Sequence, residues 1–503
     1  SLIQHIEGTK NVTVNQYDPL SYRNTMGEVN FGFNYDLNDE NSIGASYDLE
    51  CEPYEKGHVD GQQEIFSEGQ PVDIIKQKVL VDDIGGPTHE LNAYYVGKVN
   101  KLGIDFNGTY LWQKTGRDML ETEEATILEN REIHTASRRH NQLLAGKLVL
   151  SYPIAKGQLE LGSEVSHTHS SGEYSNAEGI VADASTDMKE NNWAGFLAFS
   201  YPLGSFSMDA GLRYEYVSAK YYSFGKFEEE PSKKYSNWFP NLTLSWNKEP
   251  WAASLAYTCK TKRPSYSSLR NEVQYDNRYM YEGGDPYLRP TIAHDVSLDV
   301  MCNWISFGVE YLYEDNPIIW YVTLYNHQDI AFMRNVNFSS KQTMTAYVIA
   351  APKFDWYQPT WQVFFQKPFF DAEKYGAPRG LSKPALGITW NNQFKLNSTW
   401  TSWVTLHANT TSYNAFRRYR SGYFASMRMV KTFLDEALTV NFYADDIFRS
   451  QKDQWTMYGD HATLTKDSYN SAREIGVRVV YKFNSGHRKY KGSGAGNAEK
   501  SRF

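Results

Sequence analysis

Two histidines, His167 and His169, stand two residues apart, a spacing that on an extended chain places both imidazoles on one face, where they can offer nitrogen ligands to a metal. No carboxylate or thiol is obviously supplied beside them to complete the set, so no metal site is expected. The patterns G-x-S-x-G, H-E-x-x-H, C-x-x-C and the phosphate-loop signature are absent. No catalytic residue and no cofactor are therefore assigned, and the chain does not read as an enzyme. The remaining chemistry is charge. Arg213, Glu215, Lys260, Asp295, Asp299 and Glu310 fall by two-residue parity on the polar faces of extended segments and are the candidates for a ligand path. Lys147, Glu160, Glu164, Asp209, Arg478 and Lys482 share that face, and Lys147 and Glu160 are expected to pair across adjacent strands, a contact worth less than ~1 kcal/mol when hydrated. Tyr275, Tyr279 and Tyr281, in the aromatic-rich connection Arg270–Gly284, are the candidates for contact with a ligand or partner.

The elements that position these residues alternate with a period of two. Val29, Phe31, Phe33, Tyr35 and Leu37 share one face, and Asn30, Gly32, Asn34 and Asp36 the other. After the turn Asn38-Asp39-Glu40-Asn41, the residues Ile43, Ala45, Tyr47 and Leu49 resume the apolar face. The opposite face stays polar in segment after segment, and no helical pattern is available to cover either one. A transmembrane antiparallel β-barrel satisfies both faces, with lipid outside and water or a plug inside.

Composition agrees. Mean hydropathy is -0.59, and no apolar run reaches the roughly 18 residues that a membrane-spanning helix needs. The aromatic content of 15% fits interfacial girdles, since Tyr152, Tyr201, Trp246, Trp251, Trp304 and Trp400 lie beside short turns. Net charge is -8 with both signs interspersed, so no nucleic-acid footprint is present. Parity puts Cys51, Cys259 and Cys302 on the lipid face as small apolar residues, and no disulfide is expected. No charged, apolar leader opens the chain, so a signal peptide is expected to have been removed or to lie outside it.

Short turns are predicted near Asn38, Asn100, Pro153–Lys156, Pro202–Ser205, Asn247–Pro250, Asn303, Asp355–Gln358, Asn397–Thr399 and Leu434–Ala437. Long polar connections separate them, the first from Glu52 to about Thr88 and the last from Arg449 to about Ala472. With a last strand over Arg473–Phe483 the count is about 19, and an extra hairpin is possible within Ile318–Phe354. First and last strands both run toward the short turns, so a closed antiparallel barrel needs an odd number more; three give 22 strands in the complete protein. Residues 1–26 are then the remnant of a barrel strand and its extracellular loop, 27–483 the barrel, and 484–503 a periplasmic tail.

Several motifs resemble the barrel of TonB-dependent receptors, most closely the Bacteroidetes-type outer-membrane β-barrel family. They are Lys262-Arg263-Pro264-Ser265-Tyr266 followed by Gly284-Asp285-Pro286-Tyr287-Leu288-Arg289-Pro290, then Phe239-Pro240-Asn241-Leu242, Gly211-Leu212-Arg213-Tyr214-Glu215, Asp445-Asp446-Ile447-Phe448 and the tail Lys489-Tyr490-Lys491-Gly492-Ser493-Gly494-Ala495-Gly496-Asn497. Pro286 and Pro290 also suit a loop that ends where a strand begins. The resemblance implies an outer-membrane location and TonB-dependent uptake of a nutrient such as a siderophore, glycan or peptide. It also implies an N-terminal plug, TonB and membrane lipids as partners, with a surface lipoprotein as a further one. The alternative is a barrel that acts as an interaction or assembly scaffold without active transport, and a passive channel comes third.

Overall fold

The computed structural model describes residues 1–483 and 491–503. Lys489 and Tyr490, which open the glycine-rich motif, lie outside the described residues, as does the predicted boundary at 484. The chain starts with two short strands, β1 (Leu2–Glu7) and β2 (Asn11–Tyr17). Ten longer ones follow: β3 (Leu20–Asn38), β4 (Asn41–Ser67), β5 (Gln70–Val99), β6 (Leu102–Ala125), β7 (Arg131–Ile154), β8 (Gly157–Asn176), β9 (Ala184–Leu203), β10 (Phe206–Ser223), β11 (Lys226–Lys248) and β12 (Trp251–Lys262). After β13 (Val273–Asn277) and β14 (Met280–Gly283) come β15 (Thr291–Cys302), β16 (Ile305–Asp315), β17 (Ile318–Leu324), β18 (Ala331–Asn337), β19 (Ser340–Ala350) and β20 (Tyr357–Phe369). The rest are β21 (Ala385–Lys395), β22 (Trp400–Asn409), β23 (Ser412–Asn414), β24 (Arg417–Tyr419), β25 (Gly422–Phe433), β26 (Leu438–Asp445), β27 (Asp453–Tyr458), β28 (Ala462–Ser468) and β29 (Glu474–Tyr481).

A continuous antiparallel meander runs from β3 through β12, then β15, β16, β19 to β22, β25, β26 and β29, each strand hydrogen-bonded to the next. At one end of the wall its tight connections fall where the sequence predicts them, because a hairpin turn is a local event; two further tight turns, Glu68-Gly69 and Phe224-Gly225, close long hairpins at the opposite end and are not among the predicted ones. Asn100 and Asn303 hold the positive φ of 57° and 50° that such turns demand. Among the described residues the whole sheet holds 25 strands rather than about 19, and the six outside the meander, β1, β2, β23, β24, β27 and β28, lie beyond the loop end of the wall. The segment from Glu52 to Thr88 is not a polar loop. It prolongs β4 and β5 into a long hairpin whose Gln63, Ile65, Ile75, Gln77 and Val79 are buried inward while the alternate residues meet water. Alternation persists there with its polarity reversed, which makes the segment look like a loop in the sequence. The last connection likewise contains β27 and β28.

Two aromatic bands bound the apolar outer face. Near the turns lie Phe206 against Trp246 and Trp356 against Phe394, with Trp251 and Trp304 about half exposed. Toward the loops Tyr47, His89, Trp112, His140 and His169 form a chain of ring contacts across five adjacent strands, with centroids 6.1, 5.4, 5.3 and 6.5 Å apart. A band at each end of the strands is the arrangement that bounds the ~25 Å apolar belt of an outer-membrane barrel. On the other face, inward aromatics lie over glycines of the neighbouring strand. A Cβ on Gly162 would meet the Phe196 ring at 2.1 Å, and one on Gly387 the Phe364 ring at 2.0 Å, so these cross-strand pairs admit nothing larger. No helix among the described residues is long and apolar enough to cross a membrane.

Among the described residues no ladder joins β3 to β29, and both strands run toward the turn end. At the loop end this seam is bridged. β2 pairs with β4, β1 with β2, and β1 with β28. Residues 1–17, within the segment expected to hold a strand remnant and loop, thus form a hairpin in the cap, and the wall begins at Leu20. Burial at the end of this hairpin pushes the Asp18 carboxyl up to about 6, with the Gln16 amide pulling the other way. An acid whose pKa rises on folding binds its proton more tightly in the native state, so the stability it contributes falls as pH rises from about 4 to 6. Amide exchange in β1 and β2, corrected for intrinsic rates, should therefore be slower at pH 4.5 than at pH 7. Asp18→Asn should abolish the difference, and equal protection at both pH values in the unaltered protein would refute the assignment.

Candidate functional site

The loops fold into a cap with its own apolar core. β13, β14, β18 and β17 form a separate four-stranded sheet, with β14 and β18 parallel. Tyr321, Val322, Met333 and Met280 from this sheet pack with Ile6 and Val14 of β1 and β2, with Leu381 and Phe416 of two other loops, and with Met457 and Leu464 of β27 and β28. Phe416 is the hub of this packing, its ring 4.5 Å from Tyr321 and 4.9 Å from Phe338 between centroids. The hairpin foreseen within Ile318–Phe354 exists as β17 and β18, but it folds onto β14 rather than protruding.

The three candidate tyrosines belong to this construction. Tyr275 and Tyr281 are only 2% and 5% exposed, and Tyr279 packs against the cap core. As a correction to the expectation from the sequence, the first two do not present rings for ligand contact; they face each other at 5.6 Å inside the sheet. The Tyr275 hydroxyl donates to Glu123 Oε1 at 2.7 Å, and the Arg278 guanidinium pairs with the other oxygen of the same buried carboxylate. A charged residue of β6 thereby anchors the cap to the wall. The proline-containing motif is the loop root, as its prolines suggest. Asp285 N donates to Ser268 O at 2.7 Å, Arg289 and Asn337 exchange hydrogen bonds, and a Cβ on Gly284 would strike Arg270 O at 2.2 Å.

Beneath the cap the inner face carries an ion network that the sequence shows only in part. Arg213 donates to Glu215 at 2.6 Å and to Glu164 at 3.0 Å, and Glu215 also accepts from Arg263. Arg263 continues to Glu499 at 3.0 Å, and Asn192 donates to the same Glu499 oxygen at 3.0 Å. Lys147 lies opposite Glu164 in register, and Glu160 accepts from Gln158 instead, so the expected Lys147–Glu160 pair does not form. Glu499 was not foreseen, because it lies in residues 491–503, for which the sequence suggests a periplasmic extension. Those residues run along the inner face. Lys491 reaches Asp36 at 3.1 Å, Lys500 reaches Glu90 at 2.7 Å, and the two terminal Arg502 nitrogens clasp Glu190. Arg502 also stacks over Tyr266, 4.1 Å from the ring centroid, and Phe503 stacks with the same ring at 5.5 Å.

A cavity of about 840 Å³ lies between this segment, the wall and the underside of the cap. Arg213, Glu215 and Lys260 line it, with Lys147, Trp320 and Arg502. Asp295, Asp299 and Glu310 are farther round the wall, where Tyr347 hydrogen-bonds to Asp299. The six predicted charges are thus divided between two places. His167 and His169 belong to neither: on the outer face His169 pairs with Asp187 at 2.6 Å and His167 with Asn191 at 2.8 Å. No group of three potential metal ligands occurs among the described residues, and Cys51, Cys259 and Cys302 are free.

The copper transporter OprC superposes with a TM-score of 0.56 at 9% identity, covering 93% of this chain and 79% of that one. The siderophore receptor PiuA from Acinetobacter baumannii gives 0.53 at 9% identity over 96% and 81%. The FrpB iron transporter from Neisseria meningitidis gives 0.50 at 11% identity over 95% and 80%. At such identities the likeness concerns the fold alone. A search of curated proteins finds no match. A family model described as the outer membrane protein beta-barrel family matches residues 97–481, most of the girdled wall. Kinship and architecture therefore agree: this chain belongs to the outer membrane protein β-barrel family, and its place is the outer membrane.

Proposed function

We propose that this chain is the barrel of a receptor that takes up a scarce nutrient, a siderophore, glycan or peptide, by TonB-dependent transport. The observation that carries the reading is the cap. Seven stretches of the chain, the long β4–β5 hairpin among them, share an apolar core over the loop end, and the charged cavity lies beneath it. A passive pore gains nothing from such a lid, whereas a receptor that admits one solute at a time requires it. In this reading Arg213, Glu215 and Lys260 meet the solute first on its way inward, and Asp295, Asp299 and Glu310 flank the path. Three further strands close the seam between β3 and β29 and restore the antiparallel order, for 22 in all. An N-terminal plug fills the space below, and TonB supplies the energy. No residue is assigned a catalytic role.

The test is accumulation of radiolabelled ferric siderophores, oligosaccharides and peptides by cells carrying the complete gene, with and without a protonophore. Uptake of one class that collapses with the protonophore supports the proposal; uptake that ignores the protonophore, or none by any class, defeats it. A second reading is a scaffold for a surface lipoprotein, favoured by an outward cleft of about 990 Å³ on the extensions of β3 to β8, lined by Arg23, His58, Leu80, Asp118, Leu120 and His134. Recovery of a stoichiometric lipoprotein partner, lost on Leu120→Arg, would favour it.

A further inference from the structure

Residues 491–503 are bound to the wall as a peptide ligand is bound to a receptor. The amides of Ser493 and Gly494 donate to Asn107 Oδ1 at 2.9 and 3.2 Å, that of Ala495 to Thr109 Oγ1 at 2.9 Å, and that of Gly496 to Glu164 Oε1 at 3.1 Å. Four successive main-chain donors are thus matched by wall side chains. Two of the positions demand glycine. Gly494 and Gly496 hold φ of 69° and 66°, and a Cβ on Gly496 would stand 2.7 Å from that of Ala145 and 3.0 Å from Leu143. Ala495 is buried against Leu111 and Leu143. Glu499 and Arg502, both nearly inaccessible, each find an opposite charge, Arg263 at the exit of β12 and Glu190 on β9. A segment merely lying in the lumen would not match main-chain donors, glycine angles and buried charges together.

The far end of the segment reaches the cap. Tyr266 N donates to Arg502 O at 3.0 Å and Arg502 Nε to Pro264 O at 3.0 Å, so the chain at 502 and the loop root at 264–266 clasp each other. From there Ser268 accepts from Asp285 N through its carbonyl and from Asn335 of β18 through its hydroxyl, at 2.7 and 3.2 Å. We propose that the inner wall from β5 to β10 is a sequence-selective peptide-binding surface. Its occupant is the chain's own segment 491–503, which acts as an internal strap that holds down the loop root and, through it, the cap sheet. Withdrawal of the strap strips Arg502 from the 264–266 root and frees the cap from below. The cap can then be released from the periplasmic side of the barrel. The inference does not depend on what is transported, or on transport at all.

Occupancy and coupling are tested separately on the full chain with its three cysteines replaced by alanine. Thr109→Cys with Ala495→Cys should form a disulfide on oxidation in the folded, heat-modifiable species, whereas Thr109→Cys with Ser501→Cys should not. No selective cross-link in the folded protein would overturn the occupancy. Coupling is read as amide exchange at Tyr266. Arg502→Ala should speed it by about tenfold, the effect of losing one stabilising contact near 1.4 kcal/mol, and Arg502→Lys should restore part of the protection. Gly496→Val breaks the seat without touching an ion pair and gives the same reading if Arg502→Ala does not fold. Exchange unchanged in a cross-link-competent protein carrying either substitution would overturn the strap.

Discussion

Replacing Glu123 by alanine should loosen the cap while leaving the wall folded. Glu123 is fully buried and accepts from both Tyr275 and Arg278, and Arg278 is itself only 8% exposed. Truncating the carboxylate strands a buried guanidinium, which typically costs about 3–5 kcal/mol. Arg278 also donates to the Glu129 carbonyl, so one of its bonds survives, and the lower part of that range is the better expectation. The damage should be local, because Glu123 lies on the extension of β6 above the outer girdle, where no bilayer holds the strands. Limited trypsinolysis in detergent should cut Glu123→Ala within residues 263–290 under conditions that spare the parent, while the barrel fragments stay heat-modifiable. The double change Glu123→Leu with Arg278→Met removes both charges and should be far milder, since an apolar pair of similar volume can replace a buried ion pair at little cost. A Glu123→Ala protein as resistant as the parent would mean that the apolar core alone secures the cap.

That distinction also explains how much of the molecule is legible in the sequence. Hairpin turns depend on four or five consecutive residues, and the positions around Asn38, Asn100 and Asn303 could be read one at a time. Parity puts Val29, Phe31 and Phe33 on the face opposite Asp36, and Asp36 meets Lys491 on the inner side, because alternation along a strand is local. The cap left no such trace. Its core is gathered from Ile6, Met280, Val322, Leu381, Phe416 and Leu464, single apolar residues in segments far apart in sequence, and no period links them. The burial of Tyr275 and Tyr281 is hidden in the sequence for the same reason: an aromatic residue in a polar loop looks exposed until the other loops are placed.

The inner face was half legible. Parity put Arg213, Glu215 and Lys260 together on the polar side, and the cavity gathers them. It could not supply Arg263 or Glu499 as the next links, since one lies at a strand exit and the other 284 positions beyond Glu215 in the numbering. The glycine-rich composition of the tail fits both a free extension and a tightly seated segment. Only the wall's acceptors at Asn107, Thr109 and Glu164 decide between them.

Leu161→Arg should cost about 2–4 kcal/mol in a bilayer, the range for a basic residue at the midplane of a lipid-facing strand. Leu161 is 55% exposed, midway along β8 between the turn and the His167–His169 stretch of the outer girdle. Its register partners, Leu150 and Leu197, are also apolar, so the patch offers the arginine no counter-charge on either side. The side chain can reach toward an interface only by crossing other leucines, and snorkelling recovers little from this depth. One residue back, Glu160 points to the opposite face and accepts from Gln158 at 2.9 Å. Glu160→Lys places the same sign of charge at nearly the same height but in a polar, hydrated setting, and should cost no more than about 1 kcal/mol. Urea titration of folding into lipid vesicles compares the two substitutions directly. A large penalty for Leu161→Arg beside a small one for Glu160→Lys would establish by experiment which face meets lipid, independently of kinship. Equal penalties would mean that both faces of β8 see the same medium, which no barrel in a bilayer allows.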